Sequence, residues 1–193
     1  MDFPTMALTV TRIVDAALAI VDEGGLRALT MRSLGACLGV EAMSLYHHVR
    51  NRDALLDLLV ARVLAEAAAD DAPVAGDWRA WLTRVASRYR QVLKAHPGLV
   101  GEIAVRPVRS PAAWQKLAAG ASILEQSGFS RPHSFYILDA LGMFVIGHVL
   151  AETGGKPAQD APRIGTHDEI FVFGLATFLQ GCGARADSHR PSS

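Results

Sequence analysis

Seven histidines, two cysteines and nineteen acidic residues could supply metal, acid–base or nucleophilic chemistry, but their spacing does not assemble it. No HExxH, CxxC, GxSxG or phosphate-loop pattern occurs. His148 falls in an apolar helical pattern, where a satisfied core or interface imidazole competes with a ligand. His167-Asp168-Glu169 opens a helix, where acids complement the dipole. A different set of side chains does converge. Leu45 and Val49 anchor a short segment that leaves Ala42, Met43, Ser44, Tyr46, His47 and His48 mostly outward. Around it, within residues 26–52, four arginines (27, 32, 50 and 52) stand against the single acid Glu41. Hydroxyl, imidazole and guanidinium donors on one small face suit phosphates and base edges.

Short elements must hold that face. Thr9 or Thr11 caps a helix running to about Glu23, with Ile13, Ala16, Ala17 and Ile20 as its stripe and Val14, Leu18 and Val21 beside it. Gly24-Gly25 stops it. Thr30 caps the next helix, where Leu34, Cys37 and Leu38 face inward. Gly35 is small where two helices cross, Gly39 sits at the turn and Leu45 anchors the helix over 42–48. This is the spacing of a helix-turn-helix. Asn51 caps a longer helix from Arg52 to about Ala69, with Leu55, Leu56, Leu59, Val63 and Ala67 inward.

The remainder reads as a helical body. Helices are expected over 78–95, 111–127, 131–153 and 167–182, with a short apolar piece at 99–105. Residues 70–77 and 154–166 are loops rich in glycine and proline, and residues 187–193 a disordered tail. The fold class is all-α with about nine helices. Its units are a helix-turn-helix domain at 1–52, a body at 53–186 and the helix from 52 to 69 joining them. The helices at 131–153 and 167–182 are apolar on most of their surface. A chain this small cannot enclose both, so they are expected to meet a second copy in a four-helix bundle through Leu138, Leu141, Val145, Val149, Phe173 and Phe178. A plain monomeric core stays open beside that reading.

Half of the 193 residues are hydrophobic and the net charge is zero. This composition permits a sizeable core and argues against non-specific coating of nucleic acid. No apolar run is expected to span a membrane. The start MDFPTMALT carries no export signal, so the expected location is cytoplasmic. Cys37 and Cys182 are expected as small buried thiols rather than a disulfide.

The segment LGV-x4-LY-x-HV-x-N-x-x-ALL, within residues 9–59, resembles the tetracycline-repressor (TetR) family. So do His96, Arg106-Pro107, the block GFSRPHSFYILDALGMFVIGHVL and Phe171-Val172-Phe173-Gly174-Leu175. The resemblance implies a homodimeric, ligand-responsive regulator, usually a repressor, that binds an operator in double-stranded DNA. It implies DNA contacts at Arg32, Met43, Ser44, Tyr46, His48 and Arg52. Arg32 suits a bidentate contact to guanine, and Tyr46, His48 and Arg52 suit phosphates. Family residues that bind tetracycline–magnesium fall here at Val85, Tyr89, Glu102 and Ala151, so another effector is expected. Lining candidates are Trp81, Val85, Tyr89, Glu102, Trp114 and Met143. No cofactor and no metal are expected, although Glu102 keeps a metal ligand open. The rival readings are a DNA-binding or interaction module without a ligand and, more remotely, an enzyme.

Overall fold

The computed structural model describes residues 7–68, 77–106, 111–154 and 165–187. Among these residues the chain is all-α. Nine α-helices run in order: α1 Val10–Gly24, α2 Met31–Leu38, α3 Ala42–Leu45, α4 Arg52–Ala67, α5 Trp78–Ala95, α6 Val100–Val105, α7 Pro111–Gln126, α8 Arg131–Thr153 and α9 His167–Asp187. Single 3-10 turns at Leu26–Ala28 and Pro97–Leu99 precede α2 and α6. Residues 188–193 of the expected tail and most of both expected loops lie outside the described residues, whereas Asp187 still belongs to α9.

Local chemistry explains the helix starts. Thr9 accepts from the Arg12 amide at 3.2 Å, Asn51 from Ala54 at 2.8 Å and Asp77 from Ala80 at 3.0 Å. Thr30 and Ser33 cap each other's amides reciprocally, at 2.9 and 3.0 Å. Each such cap contributes about 1 kcal/mol. Gly39, at φ 68°, ends α2 in the left-handed conformation. A methyl group at Gly35 would lie 2.8 Å from the Val40 carbonyl oxygen, so glycine alone permits the α2–α3 crossing.

Ile13, Ala17, Val21, Leu29, Leu34, Leu45, Val49, Leu55 and Leu59 form the core of the first unit, each 2 % exposed or less. Cys37 departs from expectation: it is exposed, whereas Cys182 is buried. The face of α2 that meets α1 and α3 is centred on Leu34 and Gly35, which leaves Cys37 on its outer edge.

In the body, α8 packs against α5 and α7, and α9 lies against α8. The stripe of α8 used inside the protomer is Ser134, Ile137, Leu141, Val145 and Val149. This corrects part of the expected interface. Leu141, Val145 and Val149 are 3 %, 0 % and 0 % exposed and belong to the chain's own core. An almost uniformly apolar helix does not reveal which stripe its own chain covers. The outward stripes carry Tyr136, Met143 and Leu150 on α8, and Ile170, Val172 and Phe173 on α9. Leu138 and Phe178 are half-buried at their edges. By length and composition α8 could also cross a membrane, against expectation, and only 28 % of its most apolar window is buried.

Candidate DNA-reading face and ligand chamber

The reading helix is shorter than its sequence pattern implies. α3 closes at Leu45, and the backbone then tightens: Tyr46 donates to the Met43 carbonyl at 3.2 Å and His48 to that of Leu45 at 3.0 Å. Leu45 and Val49 are 0 % and 2 % exposed and fix this turn on the core. Arg32, Met43, Tyr46, His47 and His48 are exposed around it, and Ser44 is half-buried. Five of the six expected contacts are therefore at least partly accessible, on α2, on α3 and in the turn after it.

Arg52 is placed differently. Its Nε donates to the Leu29 carbonyl at 3.3 Å and its Nη2 to that of Leu26 at 3.2 Å. The side chain ties the start of α4 to the turn that leads into α2. Its spacing in the motif gave no hint of this.

Two polar clusters join this unit to the body. Arg106, after α6, donates from Nε to Glu102 at 2.8 Å, from Nη1 to Asp57 at 2.6 Å and from Nη2 to Asp53 at 2.6 Å. Asp53 and Asp57 lie on the first two turns of α4. Its hydrogen bonds to the Asp53 and Glu102 carboxylates hold the guanidinium protonated well above its usual range, against the effect of burial. Glu102, expected in the ligand site, thus sits in the neck with its carboxylate engaged. The second cluster centres on His96, whose Nδ1 lies 3.0 Å from both oxygens of Asp22 on α1 and whose Nε2 lies 3.7 Å from Glu66 on α4. Beside it, a methyl at Gly98 would lie 2.8 Å from Val21 Cγ1, so body and reading unit touch without spare room.

The inner stripe of α5 gathers three expected lining residues. Trp81 is 3 % exposed, and Val85 and Tyr89 are half-buried. The Trp81 ring lies against Gly120 of α7, where a methyl would be 3.1 Å from it, and Leu138 of α8 closes the same spot. Burial pushes the Tyr89 phenol above its usual range. Trp114 and Met143, at 52 % and 64 % exposed, are not part of this buried stripe. Arg88, on the same stripe, was not singled out from the sequence. It donates from Nη2 to the Glu66 carbonyl at 3.4 Å.

An open groove of about 670 Å³ runs between α5 and α9, lined by Arg90, Lys94, Asp168 and Phe171 among others. None of the six expected ligand residues borders it. Arg90 bonds Glu152 at 2.8 Å and Asp168 at 2.6 Å, and its guanidinium stacks 4.7 Å from the Phe171 ring centre. These charges satisfy one another and tie α9 to α5. Among the described residues no group of three His, Cys, Asp or Glu could hold a metal ion.

Comparison with known proteins agrees with this geometry. The family "Bacterial regulatory proteins, tetR family" matches residues 13–59, and "Tetracyclin repressor-like, C-terminal domain" matches residues 71–165. The class A tetracycline repressor from transposon 1721 of Escherichia coli is 36 % identical over 196 residues, covering 90 % of this chain and 89 % of that protein. Apo ActR from Streptomyces coelicolor superposes with a TM-score of 0.86 at 28 % identity, over 96 % of this chain and 100 % of that one. A class A repressor in complex with 5a,6-anhydrotetracycline and magnesium superposes with a TM-score of 0.77 at 31 % identity, over 92 % and 99 % of the two chains. The chain belongs to the TetR family of bacterial regulatory proteins, ligand-responsive repressors that bind DNA and are not enzymes.

Proposed function

We propose that the chain works as a homodimer that holds a pseudo-palindromic operator and releases it when a small molecule other than tetracycline enters the body. The observation that carries this is the Arg106 cluster. It fastens α4, the helix that continues from the reading unit, to α6 of the body. Residues 1–52 act as reader and 53–186 as sensor. Such a regulator works where the chromosome is, in the cytoplasm.

Two copies would place their α3 turns in successive major grooves, about 34 Å apart. Arg32 reads a guanine, Met43 and Ser44 meet base edges, and Tyr46 and His48 hold phosphates. Arg52 acts chiefly by fixing the turn before α2. The second copy covers the outward face of α8 and α9, where Tyr136, Met143, Leu150, Ile170, Val172 and Phe173 are exposed. A contiguous apolar face of this kind favours a partner protein over water.

Ligand in the chamber beside α5 shifts α6, Arg106 drags the first turns of α4, and the two reading turns move apart. A hundredfold loss of operator affinity needs the ligand to favour the released state by about 2.7 kcal/mol. Val85 and the engaged Glu102 support an effector other than the anhydrotetracycline–magnesium pair bound by the class A repressor. Selection from random duplexes tests the reading. A two-fold symmetric site with half-sites one helical turn apart is expected, bound by a particle of twice the chain mass. An asymmetric site bound by single chains would overturn it.

A further inference from the structure

Burying a charged side chain is costly unless it is paired. Two arginines of the body follow that rule closely. Arg90 faces Glu152 and Asp168, and Arg106 faces Asp53, Asp57 and Glu102. Arg88 does not. It is half-buried on α5, and its Nε is shielded from solvent without a hydrogen-bond partner. Its bond to the Glu66 carbonyl is long, at 3.4 Å. Among the described residues no carboxylate lies within the 4.0 Å of an ion pair from it. The Glu66 carboxylate beside it is engaged elsewhere, 3.7 Å from both Arg62 and His96.

Arg88 shares its helix face with Trp81 and Val85, at steps of seven and three residues, and Tyr89 flanks that face. The Trp81 indole nitrogen is likewise buried with no partner, in a side chain 3 % exposed. Tyr89, kept protonated by burial, is a third donor. The stripe therefore offers two unmatched donors, one of them cationic, and a phenol, on a helix packed against α4 and α8 and touching Gly120 of α7. About 10 Å of helix axis separates Trp81 from Arg88, comparable to a fused polycyclic ring system.

We infer that the effector is an aromatic anion, a carboxylate or acidic phenol on a polycyclic frame, whose charged group meets the Arg88 guanidinium while a ring oxygen accepts from Trp81. This rests on the reading of the body as a ligand chamber and adds the ligand's charge and shape to it. A guanidinium fork suits a carboxylate in two-point contact, and such charged bonds exceed neutral ones in strength.

A matched pair of probes tests the charge. Anthraquinone-2-carboxylate and anthraquinone-2-carboxamide share a frame whose ring carbonyl oxygens can accept from Trp81 and differ in charge, and their binding to the full-length protein can be followed by titration calorimetry. The carboxylate is expected to bind at least roughly tenfold more tightly than the amide. Arg88→Met should abolish that preference, and Arg88→Lys should keep part of it. Arg88→Gln serves as a second neutral variant should Arg88→Met fail to fold, as judged by its thermal unfolding midpoint. Trp81→Phe should weaken both probes alike. Equal binding of the two probes by the native protein, or a preference surviving in the neutral variants, overturns the anionic assignment and leaves the chamber standing. Binding of neither at millimolar concentration overturns both.

Discussion

Arg106 Nη1 donates to Asp57 Oδ1 at 2.6 Å across the junction between the body and α4. The same guanidinium reaches Asp53 and Glu102, so one side chain after α6 grips two successive turns of the helix that leads out of the reading unit. A connection this local can be interrupted without disturbing either core.

Arg106→Met should therefore lower stability by about 1–3 kcal/mol, less than a fully buried pair would, because Asp53 is 71 % and Asp57 33 % exposed. The sharper readout is amide exchange in the first two turns of α4, which should speed up. If those amides keep native protection, the grip is incidental and the junction is held by packing alone.

Arg52 and Arg32 separate structure from recognition. Arg32→Ala should relax base preference at one operator position by about 1–3 kcal/mol. Arg52→Ala should weaken operator binding together with the unfolding midpoint, because the 26–29 turn loses its tether. Its salt slope should stay near the native value. A slope reduced by about one would mean that Arg52 meets a phosphate instead.

Gly35→Ala is a small change with a large expected effect. Its methyl would fall 2.8 Å from the Val40 carbonyl oxygen, a backbone atom that cannot swing away. Separating α2 from α3 to make room should cost about 1–3 kcal/mol and abolish specific operator binding. Native affinity in a gel-shift titration would disprove the close crossing.

The inner face of α8 and the outer face of α9 can be told apart. Leu141→Ala removes core volume and should cost about 2–5 kcal/mol. Phe173→Glu places charge on a residue 74 % exposed in the protomer. It should halve the particle mass in sedimentation while preserving helix content. A dimer that survives Phe173→Glu would move the interface elsewhere.

Acid should loosen the joint between α5 and α8. Burial pushes the Glu152 carboxyl up, but Lys94 and Arg90 more than reverse this, so it lies below the ordinary carboxylate range. Its contribution is complete above the unfolded value, about 4.3, and is lost as pH falls through the depressed folded value. Glu152→Gln should flatten that part of the profile in denaturant titrations from about pH 6 to about pH 3. His148, whose pKa burial lowers, adds a separate loss beginning near about 6.5 as it is forced to protonate. An unchanged acid slope in Glu152→Gln would exclude the cluster as an anchor.

Much of the reading unit was legible because it is built from local rules. Thr30, Asn51, Gly35 and Gly39 act within a few residues of themselves, and their roles follow from residue type and spacing. The body was less legible because its decisive contacts join distant segments. Arg106 meets α4 from 49 and 53 residues away, and His96 meets Asp22 from 74. No periodicity encodes such pairs. Glu102 was read as a ligand residue because an acid in an apolar stretch suggests a site, yet its partner stands four residues on, at Arg106. In α8 the difficulty was of another kind. Apolar residues cover most sides, so the pattern gave burial without direction, and Val145 and Met143 looked alike.

The outward apolar stripe of α8 has a consequence for dosage. A repressor completed only by pairing through that stripe exists in reading form in proportion to the square of its concentration when copies are few. Halving its synthesis would then lower the paired form roughly fourfold. The promoter it governs would open over a narrow range of repressor level, even before any effector arrives.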